Sequence, residues 1–554
     1  MMTSYRTLRN GYAVPLPSVP AYPVQEFRDA VLRGTHDGYR LAALFHLSLE
    51  SRSALCAVLA DDEKGEIGAL AGILDSEGYP ALTPECMQAH LFEREIAEET
   101  GILPIGHPWL KPVRFPRKEG SGPGIGDMEF FRVEGSEIHE VAVGPVHAGI
   151  IEPGHFRFQC YGEIVLHLEI SLGYQHRGIE KGFLEAAPSM RRLMVESVSG
   201  DSTVGHCTAY CNAVEALSGR PRVPERAAMI RSIAQELERA ACHIGDLGAL
   251  AGDVGFLPTM SFCGRIRGDV LNMTASICGN RFSRGLIRPG GVSWDIDESI
   301  VRHILDQLQV VRDDTRDAVS LLWETPTVMA RFEGTGALSR ADAEAFGLVG
   351  PAARACGLAR DVRSSFPYGG FALHSIPVQC EETGDVLARA SVRSAEIERS
   401  FDYVERHVST LPDTPLQDAT LPFQPSSFVV SLAAGWRGEI LHAVEIAAKG
   451  KIIHALQAIP APTMQIEDNK RSALALACGH GLHRPGSGLK GDILLVGTCL
   501  QRDIGIFYTL FGNRIAPIDI THLVVIDDLI ITIVSAADNG GIGEIVVLIR
   551  RQRS

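Results

Sequence analysis

VPERAAMIRSIAQELERAACHIGDLGAL, residues 223–250, decides the fold reading of this 554-residue chain. Apolar residues recur at three- and four-residue steps, and Pro224 sits at a first-turn position, so the stretch is a helix with a wide buried face. The same stretch carries Glu236, Glu238, Arg239, His243 and Asp246. Glu236 and Arg239 are three apart and Arg239 and His243 four apart, so they share a helix face. A charge cluster buried on a helix is either a structural network or a proton path, and the sequence leaves both open.

Working outward, ASVRSAEIERSFDYVERHV (390–408) is a second amphipathic helix, and helical character runs from about 180 to 410. Short strands precede it, in EIHEVAVGPVHAG (137–149) and HFRFQCYGEIVLHLEISLGY (155–174). Strand character returns in GWRGEILHAVEIAAKGKIIHAL (435–456), with a turn at Lys449-Gly450. Nearer the N-terminus, a lead-in rich in Pro and Tyr gives way to strand-length apolar runs over 41–58. DDEKGEIGALAGILDSEG (61–78) reads as helix or turn, and HLFEREIAEETGI (90–102) as a helix ending at Gly101. Beyond about Pro460, CGHGLHRPGSGLKGD is loop-like, and GDILLVG, THLVVI, LIITIVSA and EIVVLIRR read as β-branched strands. The expected fold class is α+β. An N-terminal α/β domain (20–116) and a Gly-rich linker (117–138) precede an α-rich domain with peripheral β segments (139–456) and a divergent C-terminal segment (457–554).

Composition narrows the function. Apolar residues make up 45% and charged residues 21%, which excludes wholesale disorder. A net charge of -15 argues against binding a nucleic-acid backbone. MMTSYRTLRNGYAVP lacks the apolar core of a signal peptide, and the most apolar late stretch, 522–536, is interrupted by Asp527 and Asp528. The expectation is a cytoplasmic protein whose twelve cysteines, none in a C-x-x-C, are free and mostly buried thiols.

Four stretches carry candidate chemistry. EPGHFRFQCYGE (152–163) puts His155 in a Gly/Pro turn, with His147 just before it. A turn histidine donates a proton or hydrogen bond to a ligand, or fixes a hairpin. GYQHRGIEK (173–181) gathers His176, Arg177, Glu180 and Lys181. On a helix start Arg177 and Glu180 share a face, as a tuned proton carrier or as a local ion pair. VESVSGDSTVGHCTAYCNAVEAL (195–217) sets Cys207 and Cys211 on one helix face beside His206. They are a partial metal set or two core thiols. The helix cluster at 236–246 is the fourth. GSGPGIG and PGGV are not phosphate loops, since neither joins a strand to a helix in a βαβ unit.

Together these motifs resemble the large subunit shared by membrane-bound group 4 nickel–iron hydrogenases and the 49-kDa quinone-site subunit of respiratory complex I. The colinear matches are GPVH…EPGHFRF (144–158), YQHRGIEK (174–181), HCTAYCNAVE (206–215), ELERAACHIGDLGALAGDVGF (236–256), NRFSRGLIRPGG (280–291), GLVGPAARACGLARDVRSSFPYG (347–369) and GWRGEILH (435–442). EREIAEETGILPIGHPWLKPVRFP (93–116) resembles the companion 30-kDa subunit. Fusion of the two is the arrangement of formate-hydrogenlyase-type large subunits.

The resemblance implies a subunit of a membrane-associated redox complex, peripheral on the inner face of the cell membrane. It would pass electrons to a quinone-like acceptor, coupled to proton movement. The implied partners are a small iron–sulfur subunit that holds a 4Fe–4S cluster and membrane-arm subunits, with no nucleic acid. It implies His155, Arg177, Glu180 and Asp201 as catalytic residues and His155, His176, Arg239 and His243 as cofactor-binding residues. In the hydrogenases two C-x-x-C pairs hold nickel and iron. Ser199 and Ser202 occupy the first pair's positions here, and the second pair has no counterpart. A serine hydroxyl is a poor, hard ligand for a soft nickel site, so no metal is assigned to this chain. In complex I a turn His and a Tyr hold the quinone head. His155 matches the former, the Tyr position falls near Gly200, and Ser283 stands where complex I has a further His. Two other readings stay open: a degenerate scaffold subunit, and a hydrogenase with an unusual metal site.

Overall fold

The computed structural model describes residues 5–49, 52–114, 129–146, 153–219, 222–419 and 421–446 with their side chains, and the backbone of strands at 452–458, 523–526, 529–535 and 545–551. Residues 1–509 form one compact unit and 510–554 another.

The first unit begins with a sheet in the order Arg6–Leu8, Glu66–Ile73, Arg52–Asp61, Arg40–Leu49, with Ala21–Pro23 joining Glu66–Ile73 in parallel. The long central strands bury both faces, so they read as continuous apolar runs. The 61–78 stretch, expected as helix or turn, contains the strand Glu66–Ile73. Ala and Leu suit a helix, but the segment has strand partners on both sides and local propensity yields to that pairing. Its glycines make room for rings: a Cβ on Gly72 would stand 2.5 Å from Phe27 Cγ, and one on Gly68 would stand 2.6 Å from Tyr5 Cδ2. The expected helix at 90–102 is His90–Thr100, stopped by Gly101 at a φ of 79°, the usual left-handed helix end.

This sheet shares its core with the rest of the unit. Phe27, Leu44 and Leu55 belong to the same apolar cluster as Tyr403, Phe428 and Leu441. Arg40 adds a buried polar tie, with Nε 3.1 Å from Asp62 Oδ2 and Nη2 2.9 Å from Glu439 Oε2. Val14–Pro15 also pairs with the strand Ser427–Ala434.

Three strands then form a small sheet, with His155–Tyr161 between Ile138–Val143 and Ile164–Ser171. Phe156, Phe158, Cys160 and Leu168 are its core. Helices follow at Ile179–Glu185, Pro188–Val195, Thr203–Leu217, Glu225–Asp253 and Leu257–Cys278, and later at Glu298–Trp323 and Val386–Val408. Glu225–Asp253 is the 29-residue helix expected from its periodicity, buried along most of its length. Pro224 is its N-cap, one residue before the first turn, where its missing N–H goes unneeded. Ser427–Ala434, Glu439–Ile446 and Ile452–Ala458 form an antiparallel sheet. The second unit holds the antiparallel strands Leu523–Ile526, Leu529–Ser535 and Ile545–Arg551. GDILLVG, the Lys449-Gly450 turn, most of the 117–138 linker and His147 lie outside the described residues. Among the described residues no helix is long and apolar enough to cross a membrane.

Candidate functional site

A cleft of about 740 Å³ lies between the 174–177 segment, the 197–201 turn and the 267–284 region. Its floor is the turn that leads into the helix Thr203–Leu217. Ser202 holds the N-cap position, yet its side chain caps nothing. Glu238, from the long helix, caps this end instead. Its carboxylate accepts the N–H groups of Val204 at 2.8 Å and Gly205 at 3.2 Å. The serines are thereby left to Asp201. Ser199 Oγ donates to Asp201 Oδ1 at 2.9 Å, and Ser202 Oγ lies 3.5 Å from the same oxygen.

Asp201 is the hub of the floor. Arg437 grips it with both terminal nitrogens, Nη1 to Oδ1 at 2.7 Å and Nη2 to Oδ2 at 2.9 Å. The guanidinium stacks 4.0 Å above the Trp436 ring, and Trp436 Nε1 donates to the Asp201 carbonyl at 3.0 Å. Burial opposes the Asp201 charge, but the Arg437 guanidinium and the Ser199 hydroxyl outweigh it and hold the carboxyl below its usual range. Among the described residues no cation forms a salt bridge with Glu238. Burial pushes it up to about 8, against the pull of the two amides. Behind the floor, His206 Nδ1 and His442 Nε2 lie 3.2 Å apart. Burial pushes His206 down to about 4 and His442 well below its ordinary value, so both rings are neutral and one donates to the other.

The residues expected at the site divide into three groups. Arg177, Asp201 and His176 line the cleft. Arg177 Nη2 donates to the carbonyls of Ser197 at 2.6 Å and Val198 at 2.8 Å, so it clamps the floor turn. Burial and the nearby Arg114 push His176 down, which keeps it neutral. Glu180 and His155 lie elsewhere. Arg177 does not share a helix face with Glu180, because the helix begins only at Ile179, after Gly178 turns the chain at a φ of 62°. Glu180 pairs with Arg114 at 3.0 Å, and the same guanidinium contacts Glu95 and Glu99. Burial, with Glu180 and Glu99 nearby, pushes Glu95 up to about 8 despite Arg114. His155 starts the central strand of the small sheet, with Nδ1 3.4 Å from the Gly144 carbonyl and its ring beside Phe130. Neither Glu180 nor His155 is among the described lining residues.

Arg239 and His243 form the third group, beneath the floor in a buried ion network. His243 Nε2 lies 2.8 Å from Glu396 Oε2, and Arg354 reaches Glu396 Oε1 at 2.5 Å. Arg239 lies 3.5 Å from both Glu236 and Glu396, and donates to the Ala434 carbonyl at 2.9 Å. Arg363 binds Glu236 at 2.9 Å and Asp361 at 2.6 Å. Three carboxylates thus meet three guanidiniums, which is how charges survive burial. Burial resists the Glu396 charge, yet its cationic neighbours hold it well below the usual range. Burial lowers His243, whose ring stands edge-on to Trp436. Cys207 and Cys211 are fully packed in the helical core, and burial pushes both thiols up.

The donors at the floor do not match a nickel–iron group. Two hydroxyls face a carboxylate already bound by Arg437, and the cleft wall carries Arg177, Arg267, Arg281 and Arg284. Cys242 brings one thiol to the floor, with Sγ 3.5 Å from the Asp201 carbonyl and burial raising it well above its ordinary value, and one thiol is not the pair of thiolates that such a group uses. The sequence expectation missed Arg437 and Trp436, and it named Glu238 only as part of the helix charge cluster, not as the cap of the floor turn. An arginine between glycines in GWRGE, joining two strand-like runs, was a usable signal for a turn that presents Arg437.

Residues 253–458 match the family model described as respiratory-chain NADH dehydrogenase, 49 Kd subunit. The chain is 31% identical to formate hydrogenlyase subunit 5 of Escherichia coli over 389 residues, covering 66% of this chain and 67% of that protein. It is 32% identical to the carbon monoxide-induced hydrogenase of Rhodospirillum rubrum, over 55% of this chain and 84% of that one. The chain belongs to the family of complex I 49-kDa subunits and membrane-bound hydrogenase large subunits. A relative from its complex I branch, the NADH-quinone oxidoreductase subunit 4 of Thermus thermophilus, is 31% identical over 52% of this chain and 71% of that protein. A chain of the archaeal membrane-bound sulfane sulfur reductase shares the fold, with a TM-score of 0.57 at 22% identity, covering 63% of this chain and 97% of that one.

Proposed function

We propose that this family member is the large subunit of a membrane-associated redox complex, peripheral on the inner face of the cell membrane. It takes electrons from a 4Fe–4S cluster on a small partner subunit and passes them to a quinone-like acceptor at the cleft, coupled to proton movement, without a nickel–iron centre. The carrying observation is the Asp201 hub: Ser199, Ser202 and Arg437 surround a carboxylate where the resemblance places thiolates. Asp201 and Arg177 are the cleft groups that orient a bound acceptor. Glu238 holds a proton beside them, behind the floor. His155 and Glu180 act from the flanking sheet and from the Arg114 junction.

The test is turnover of the purified complex carrying Asp201→Asn or His155→Ala. Both complexes assemble, and Asp201→Asn lowers electron transfer by at least about tenfold, the scale of one lost charged contact. Because the Asp201–Arg437 pair neutralises itself, it also suits a scaffold subunit. Unchanged turnover in both variants would establish that second reading.

A further inference from the structure

The cleft wall carries more positive charge than a quinone-like acceptor requires. Arg177, Arg267, Arg281 and Arg284 all line it, and Asp201, the acidic residue of the wall, is already bound by Arg437. Arg177 donates to carbonyl oxygens, which leave its charge uncompensated. Arg267, Arg281 and Arg284 form no salt bridge among the described residues. Arg267 Nε is, in addition, buried without a hydrogen-bond partner. The chain as a whole carries -15, so this local excess runs against its own balance.

Guanidiniums gathered on one cavity repel one another unless an anion lies among them. Their planar forks match the paired oxygens of oxyanions. We propose that the arginine rim of the cleft binds a phosphate group, held among Arg267, Arg281 and Arg284 with Arg177 behind. A volume of about 740 Å³ exceeds a single ion, so the group is either free phosphate or the head of a larger phosphorylated molecule such as a phospholipid. The inference rests on the charge of the wall and not on the redox reading.

The test is calorimetric titration of the full chain with inorganic phosphate, at constant ionic strength set with chloride. A parallel arm measures sedimentation with phosphatidic acid or phosphatidylcholine vesicles. The variants are Arg281→Gln with Arg284→Gln, both exposed, and Arg52→Gln as an exposed control. The expected result is saturable phosphate binding at one site, weakened by at least about tenfold in the double variant and unchanged in the control. Sedimentation that depends on phosphatidic acid and is lost in the double variant, without binding of free phosphate, would assign the group to a lipid head. Absence of both signals, or equal signals in the double variant and the parent, would overturn the proposal. Turnover of the complex is read separately, so either reading can fail without the other.

Discussion

Arg437→Met isolates the Asp201 hub. The methionine stem still packs over Trp436, but both hydrogen bonds to Asp201 disappear. Removing one partner of a buried pair leaves an uncompensated charge and costs about 3–5 kcal/mol. Asp201 keeps 13% side-chain exposure and the Ser199 hydroxyl, so the expected cost at neutral pH is near the lower end, about 3 kcal/mol. Its pH dependence is distinctive. In the parent the Asp201 carboxyl lies below its usual value, so its stabilisation is present above about pH 3.9 and lost as pH falls through the depressed value. In the variant the Arg437 charge no longer opposes burial, the largest cause, and the hydrogen bond from Ser199 does not match it, so the carboxyl rises above that value. The cost then shrinks as pH falls and Asp201 takes a proton. Asp201→Asn in the same background removes the stranded charge and recovers part of the loss. Urea unfolding of the four proteins at about pH 7.5 and about pH 5 completes the cycle. A cost below about 1 kcal/mol at the higher pH, or an equal cost at both, would refute the hub as drawn.

Three other outcomes follow. Glu238 sits at about 8 in the fold, above its unfolded value, so its contribution is full at low pH and lost as pH rises through about 8. Glu238→Gln should flatten the decline in stability between about pH 4.3 and pH 8 by more than about 1 kcal/mol, measured as unfolding free energy against pH. Gly72→Ala should destabilise by about 1–3 kcal/mol, because the new Cβ meets the Phe27 ring at 2.5 Å, as a thermal or urea midpoint shift shows. Ser199→Cys with Ser202→Cys should yield no hydrogen uptake, since Arg437 still binds Asp201 and the second cysteine pair is still missing.

The helices were legible because their apolar residues recur at helical spacing. Glu225–Asp253 and Val386–Val408 present apolar residues at helical spacing, and His90–Thr100 advertises its end with Gly101. The strand Glu66–Ile73 was not legible, because its Ala and Leu suit a helix equally well and, although Arg52–Asp61 pairs with it as a hairpin, its other neighbours Arg6–Leu8 and Ala21–Pro23 lie far upstream. The site was legible in part. Ser199, Asp201, Arg177 and His176 meet at one cleft because they lie on segments that the motifs already bracketed. Arg437 reaches Asp201 across 236 residues of sequence, a pairing no local spacing encodes. Arg177 and Glu180 parted for a local reason: the glycine between them delays the helix by a residue and sends Glu180 to Arg114. The charges on the long helix needed their partners on Val386–Val408 and the 354–363 segment before they could be read as a balanced network.

The most direct test of the central claim is metal analysis of the natively purified complex, as nickel and iron per copy of this chain, with hydrogen uptake measured on the same sample. The expected result is iron, held on the partner subunit, no nickel, and no hydrogen uptake. Nickel at one per chain together with uptake would contradict it, and would mean that Ser199 and Ser202 do not disqualify the site.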